Sequence, residues 1–312
     1  MKISVVIPCY RSKETIEQVV EEIKTTLKEY QHEIILVNDC SPDSTYAVLC
    51  DIEKKNENVK LINFAKNFGQ PAALLAGFKY ATGDLVICGD DDGQTPFSNV
   101  IKMIDKLNEG FDVVCGKYTA REKQSFVRKI GTFCNTQMIK WFIGKPDDLY
   151  LSSFFVAKKF VVKELIKYTN PYPYIGGLLL RVTKNIGNLE VVQRERIAGK
   201  SGYNLKKLFS LWVNGFTAFS IKPLRFATLL GITNSIIGML FGLFIVLRKL
   251  IYPNIALGWT SIIALLIFFG GLILFVLGII GEYIGRIYIC INNSPQYVIK
   301  ETKNIEEEDN ND

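Results

Sequence analysis

Histidine is almost absent from this 312-residue chain: His32 is the only one. Its scarcity speaks against an imidazole-ligated zinc centre and against a Ser-His-Asp triad, so acid–base or metal chemistry must rest on carboxylates. His32 itself stands just before an apolar run and reads as a surface residue. The seven cysteines, at positions 9, 40, 50, 88, 115, 134 and 290, form no CxxC pair, and several sit in strand-like runs. That pattern suits reduced core thiols in a cytosolic compartment better than a disulfide framework. No GxGxxG follows the first apolar run, which continues instead into PCYRS, and no Walker A loop occurs. SVVI near the start is too short for the apolar core of a secretory signal, so none is expected.

Charge is missing over one long stretch. The chain carries a formal net charge of +6, yet between Phe226 and Gly281 only Arg248 and Lys249 are charged. FATLLGITNSIIGMLFGLFIVL, 226–247, would span roughly 33 Å as a helix, close to the hydrocarbon thickness of a bilayer. IALGWTSIIALLIFFGGLILFVLGIIG, 255–281, is longer still. A buried core hairpin is the alternative, but two such runs in succession exceed what a small domain can cover. With the short link RKLIYPN they read as a transmembrane hairpin. Lys206, Lys207, Lys222 and Arg225 precede it and Arg286 and Lys300 follow, which places the main domain in the cytoplasm.

Before the hairpin, β-rich runs alternate with helical patterns. ISVVIP, EIILVN, VKLINF, DLVICG and FDVVCG are the strand-like segments. Ile16, Val19, Val20, Ile23 and Leu27 keep helical spacing, as do Ala47, Val48, Leu49 and Ile52, and AALLAGFKYA and NVIKMIDKL fall between later strands. Repeated βαβ units imply a mainly parallel, Rossmann-like sheet with helices on both faces, and ligands beyond the carboxyl ends of its strands.

GDDDGQTP, 89–96, puts three carboxylates directly after one such strand. Asp90, Asp91 and Asp92 repel one another by roughly 1–4 kcal/mol per close pair, depending on screening. A solvated turn is the plain reading. An EF-hand loop fails, since Thr95 stands where Gly is needed and Ile101 where the bidentate Glu belongs. A divalent metal held by one or two carboxylates plus substrate phosphates is favoured, because Pro8-Cys9-Tyr10 and Asn38-Asp39 also follow strands and converge on the same rim.

VVIPCY, VNDCSPDST, NFGQPAALLAGFKYATGD, GDDDGQTP, RERIAGKSGYNLKKL and the apolar pair resemble, in that order, the family 2 glycosyltransferases that act on polyprenyl phosphate. The resemblance implies a GT-A catalytic domain, an amphipathic interfacial helix and a two-helix transmembrane hairpin. It implies inverting transfer from a nucleotide sugar to a polyprenyl phosphate such as undecaprenyl phosphate, with Mg2+ or Mn2+. Asp92 would touch the metal and Asp90 the ribose or metal shell. Asp39 would contact the nucleotide base, with Pro8 and Tyr10 lining the pocket and Gln94 in the family's QDPP stretch. Asp91 stands where the family has Ala, so its loss is expected to cost little. Thr95 and Asn38 replace family acids, which bears on donor identity. For the general base that related enzymes place on the acceptor side, KPDDLYLSSFF offers Asp147 or Asp148, although Phe155 falls where the family carries Arg and a helix-capping or loop role suits both carboxylates too.

RERIAGKSGY, 194–203, supplies Arg194, Arg196, Lys200 and Ser201. A solvated basic loop is the plain reading. The apolar face of the next segment, with Leu205, Leu208, Phe209, Trp212, Phe216 and Phe219, favours an interfacial element facing lipid phosphates. The organisation expected is a catalytic domain over 1–202, an interfacial helix over 203–222, the hairpin over 223–289 and an acidic tail over 290–312. The protein is expected in the inner membrane as a multi-pass enzyme of cell-envelope glycan assembly. Its partners are the two substrates, the membrane and, as an open option, a second copy of the chain, with no nucleic acid. A polysaccharide synthase and an inactive scaffold are the rival readings; the synthases' QxxRW motif is absent.

Overall fold

The structure is a computed structural model that describes residues 1–119, 146, 148–171, 173–192, 194, 222–251, 258–292 and 295–305. The chain divides into two compact units. One comprises Met1–Phe209 together with Ser294–Asp312, and the other Ser210–Asn293.

An eight-stranded sheet organises the first unit. Four strands run parallel: β1 (Lys2–Cys9), β2 (Gln31–Asn38), β3 (Val59–Phe64) and β4 (Leu85–Cys88). Their residues are buried almost without alternation, as central strands covered on both faces must be. The connecting helices are α1 (Ile16–Thr26), α2 (Thr45–Lys55), α3 (Gln70–Lys79) and α4 (Val100–Asn108). α1 buries Ile16, Val19, Val20 and Ile23, the stripe its spacing predicts. α3 is buried along most of its length, and Gly77 lets it approach the sheet, because a Cβ there would collide with Val6.

The rest of the sheet departs from a simple βαβ run. β5 (Val113–Tyr118) does not pair with β4; β6 (Phe155–Lys158) lies between them, antiparallel to both. β7 (Ile186–Val191) pairs parallel with β5 at one edge. The helices α5 (Lys159–Leu165) and α6 (Ile175–Val182) connect β6 to β7. At the opposite edge β8 (Ile299–Lys303) runs antiparallel to β3. Part of the stretch read as an acidic tail is therefore a strand, while the EEEDNND run lies outside the described residues. His32, expected at the surface before a strand, is half-buried within β2. Cys9, Cys50, Cys88 and Cys115 are free and buried, as core thiols should be.

In the second unit, α7 (Lys222–Ile251) has 30 residues and α8 (Trp259–Ile291) has 33. At 1.5 Å per residue these are roughly 45 and 50 Å long, more than a bilayer core needs. The apolar windows Leu224–Phe244 and Phe268–Ile291 are 6% and 0% buried, so among the described residues they do not form a buried core hairpin in this structure. The expected interfacial helix falls outside the described residues but for Lys222, now the first residue of α7.

One buried charge ties the amino ends of the central strands together. Glu33 on β2 accepts hydrogen bonds from Ser4 Oγ and from Thr82 N and Oγ1, and pairs with Lys60 at 3.0 Å and Lys2 at 3.4 Å. Burial alone would raise its pKa, but the bonds from Ser4, Thr82 and Lys60 outweigh it and hold the carboxyl down at about 2. A depressed carboxyl stabilises the fold above its unfolded pKa, and that support is lost as pH falls from about 4.5 to about 2. Glu33→Ala, which strands these partners, is expected to destabilise the protein by roughly 3–5 kcal/mol at pH 7. Thermal unfolding in detergent should show this gap, narrowing as the pH is lowered through that window.

Candidate active site

Because β1, β2 and β4 run the same way, their carboxyl ends emerge on one rim, with Cys9 opposite Asn38 and Val6 opposite Cys88. Hydrogen bonds then join the segments beyond. Asp39 N donates to Cys9 O at 3.0 Å, Arg11 N to Ser41 Oγ at 3.2 Å and Tyr10 N to Asp91 Oδ2 at 2.9 Å. Thr15 Oγ1, at the start of α1, donates to Asp91 O at 2.6 Å. Pro8 is buried beneath this junction and Tyr10 is exposed. Arg11 and Cys40 both adopt left-handed backbone, at φ 59° and 51°. For side chains other than glycine that costs on the order of 1–3 kcal/mol each, and it persists because neighbouring bonds hold it.

The three adjacent acids point to three different sets of partners, which is how their repulsion is contained. Asp90 Oδ1 accepts from Gln70 Nε2 at 2.7 Å and Oδ2 from Ser153 Oγ at 2.6 Å, while its backbone N donates to Thr95 Oγ1 at 3.1 Å. Asp92 Oδ1 accepts from Gln94 N at 3.0 Å across a turn that Gly93 makes feasible with φ 76°. Asp91 faces the loop after β1. Burial pushes its pKa up to about 7 against the Tyr10 N–H, and the charge of Asp90 adds to the rise. It is thus partly protonated at neutral pH, which removes part of the charge from the middle of the trio. Burial first, with Asp90 adding, also raises the Tyr118 phenol at the end of β5.

Asp39 is only 3% exposed, and its carboxylate accepts from Phe68 N at 2.7 Å and Gly69 N at 2.8 Å, immediately before α3. Burial raises its pKa to about 6 in spite of those two bonds. In this structure it first of all positions the start of α3, whose Gln70 reaches Asp90. Gln94 joins the acidic turn to Arg194: Gln94 Nε2 donates to Arg194 O at 3.2 Å and Arg194 N to Gln94 O at 3.3 Å. The Arg194 guanidinium in turn binds Glu22 Oε2 at 2.6 Å and Ser98 Oγ at 3.2 Å. Arg196, Lys200 and Ser201 lie outside the described residues, as does Asp147. Asp148 is exposed, and the residue its stretch places on Asp90 is Ser153.

Gln70, Ser153, Thr15 and Tyr118 do not stand out in the sequence, because neutral donors carry no charge or spacing signal. Among the described residues no group of three His, Cys, Asp or Glu side chains forms a ready metal cage. The donor set fits a cation of another kind. One or two carboxylates at the rim, Asp92 and Asp90, would hold it while phosphate oxygens complete the shell, as hard oxygen-loving cations require.

Asp91, whose loss is expected from the sequence to cost little, is the acceptor that links the acidic turn to the loop after β1. A raised carboxyl stabilises the fold below its unfolded pKa, near 3.8, and that contribution is lost as pH rises through about 7. Asp91→Asn keeps an oxygen for the Tyr10 N–H and loses the charge. It should melt higher than wild type at pH 8 without divalent cations and show a flatter dependence between pH 5 and 8. Asp91→Ala, which loses the acceptor, should be destabilised at pH 5 by about 1 kcal/mol. Thermal melts of both variants across that range check the contrast.

The family model described as "Glycosyl transferase family 2" matches residues 4–165, from β1 to the end of α5. The chain is 32% identical over 311 residues to the SfII prophage-derived bactoprenol glucosyl transferase of Shigella flexneri, covering 97% of this chain and 98% of that one. It is 30% identical over 315 residues to the undecaprenyl-phosphate 4-deoxy-4-formamido-L-arabinose transferase of Proteus mirabilis, covering 99% and 96%. Among solved structures, glucosyl-3-phosphoglycerate synthase from Mycobacterium tuberculosis, in complex with Mn2+ and UDP-glucose, superposes with a TM-score of 0.52 at 17% identity, over 69% of this chain and 77% of that one. The rim of acids thus stands on a GT-A sheet. The chain belongs to glycosyl transferase family 2 and is a glycosyltransferase.

Proposed function

We propose that the protein transfers a sugar, with inversion, from a nucleotide sugar to undecaprenyl phosphate or a similar polyprenyl phosphate at the cytoplasmic face of the inner membrane, in cell-envelope glycan assembly. The observation that carries this reading is the full-length match to a bactoprenol glucosyl transferase, across the two exposed apolar helices as well as the acidic rim.

Displacing a nucleoside diphosphate develops negative charge on the leaving phosphate. A Mg2+ or Mn2+ ion held by Asp92 and Asp90 supplies Lewis-acid stabilisation of that charge when bound. The chain's own residues do the rest. Gln70 and Ser153 fix Asp90, the Gln94 N–H fixes Asp92, and Pro8, Tyr10, Asp39 and Gln94 shape the nucleotide end. The acceptor is already an anionic phosphate, so strong base catalysis is not needed, and Asp148 or Asp147 is the candidate for the weak base on the acceptor side. Arg196, Lys200 and Ser201 meet the acceptor phosphate, and a charge-assisted hydrogen bond there is roughly twice as strong as a neutral one. The unit of Met1–Phe209 and Ser294–Asp312 carries the transfer, and α7 and α8 serve as the membrane hairpin. The pairing of β8, after α8, with β3 of the catalytic sheet supports an even number of crossings.

Membranes containing the full-length protein, incubated with UDP-, GDP- and dTDP-sugars and undecaprenyl phosphate, are expected to yield one singly glycosylated lipid, identified by mass. A polymer would indicate a synthase instead, and no product with any donor would defeat the reading. Asp92→Asn should reduce transfer by roughly a hundredfold or more, about 3 kcal/mol of transition-state stabilisation, in a protein that still inserts and folds. Near-normal turnover in magnesium would remove Asp92 from its role. A cysteine reporter at Asn254 should react from outside intact cells and one at Asp309 only after permeabilisation; labelling from one side would exclude the hairpin.

A further inference from the structure

Glu301, on the far edge strand β8, lies at the head of a chain of side chains that ends in the rim. Asn63 Nδ2 on β3 donates to Glu301 Oε1 at 2.9 Å, and Asn38 Nδ2 at the end of β2 donates to Asn63 Oδ1 at 2.8 Å. Ser41 N then donates to Asn38 Oδ1 at 3.3 Å, and Arg11 N to Ser41 Oγ at 3.2 Å. Asn38 and Asn63 are buried, at 2% and 6% exposure. Between Asp39 and Ser41 sits Cys40 in left-handed backbone, so this turn needs an anchor on its far side, and Ser41 N–H bound to Asn38 supplies it.

The chain has a direction on which its two ends agree: the Ser41 N–H can only donate and the Glu301 carboxylate can only accept. A carboxamide can turn over, presenting its oxygen or its NH2 to a given neighbour, whereas an ionised carboxylate only accepts. Glu301 therefore obliges Asn63 to point its NH2 outward and its oxygen inward. Asn63 in turn obliges Asn38 to donate to it and to keep its own oxygen for Ser41. The Tyr46 hydroxyl also bonds to Glu301, and these two bonds, Tyr46 foremost, lower the carboxyl pKa and keep it ionised.

We propose that Glu301 is a positioning residue for the donor site: as the accepting end of the amide relay through Asn63 and Asn38 it secures the relay that holds the Asp39–Ser41 turn and, through Ser41, the backbone after Tyr10. The same relay gives Asn38 its reason. An aspartate at that position has no NH2 for Asn63 Oδ1. Asn63 would have to turn over, placing its oxygen against the Glu301 carboxylate. Asn38 and Glu301 thus form a matched pair across three strands, although they are 263 positions apart in the chain. The service to catalysis rests on the rim being the nucleotide-sugar site, while the relay itself does not.

The test is a mutant cycle in the full-length protein. Asn38→Asp is expected to raise the KM for the nucleotide sugar at least tenfold, with the KM for lipid phosphate changed less than twofold, and to lower the melting temperature. Glu301→Gln alone, whose side chain can still accept from Asn63, should stay within threefold of wild type. In Asn38→Asp/Glu301→Gln the glutamine NH2 can meet the reversed Asn63, and both donor KM and melting temperature should return to near wild type. Rescue by a change that is neutral on its own is not expected of a merely structural glutamate. The proposal is overturned if Asn38→Asp behaves as wild type, or if it is equally impaired with Glu or Gln at 301. Should Asn38→Asp fail to accumulate, Glu301→Lys, an exposed change on the edge strand, decides the same question. It reverses the relay from the other end and should raise donor KM tenfold; an unchanged KM and melting temperature would overturn the idea. The melting-temperature cycle needs no substrate, so it tests the relay even where no sugar donor is turned over.

Discussion

Like charges gathered at one edge of a parallel sheet are the constraint around which the catalytic unit is organised. Parallel strands all end on the same side, and here β1, β2 and β4 deliver Tyr10, Asp39 and three consecutive aspartates to a single rim. Such a rim is useful for holding a cation against phosphates and is costly without one. The cost is contained by division. Asp90 is held by neutral donors from α3 and from the stretch before β6, Asp91 turns toward the β1 loop with its pKa raised by burial, and Asp92 is held by its own turn. Each solution engages a different element, so the acids also fasten those elements to the rim.

The amino ends of the same strands show the opposite treatment. Glu33 is buried, ionised and surrounded by two hydroxyls, a backbone N–H and two ammonium groups, so its pKa falls where those of Asp39 and Asp91 rise. The difference is one of partners rather than of burial. A carboxylate with enough donors stays charged in the interior and strengthens the fold. One with few donors and like-charged neighbours takes up a proton, and is thereby poised to respond to a cation or a ligand.

The C-terminal strand brings the end of the chain back to this sheet. After two helices whose apolar side chains face outward, the chain re-enters it as β8, a short edge strand bearing Lys300, Glu301 and Lys303. Charged residues suit an edge, where they discourage pairing with another chain. Glu301 does more, since it terminates the polar relay through β3 and β2. The part of the protein farthest from the rim in sequence thereby contributes to its geometry.

Local pattern carried much of this in the sequence. Five of the strands, the buried stripe of α1, the acids after β4 and the two long uncharged runs are all legible, because periodicity, charge and run length are properties of neighbouring residues. The bundling of Tyr10, Asp39 and the aspartates followed from parallel topology alone. Tertiary structure decided the remainder. β6 has four residues and enters between β4 and β5 from a distant part of the chain, and β8 reads as a charged tail until β3 is there to pair with it. Gln70 and Ser153 became visible only as donors to Asp90, since a neutral side chain announces nothing until a buried charge faces it. Asp91 looks dispensable in the sequence for the same reason: its worth lies in the Tyr10 N–H, 81 positions away, and a hydrogen bond across that distance is a property of the folded chain, absent from any local stretch of it.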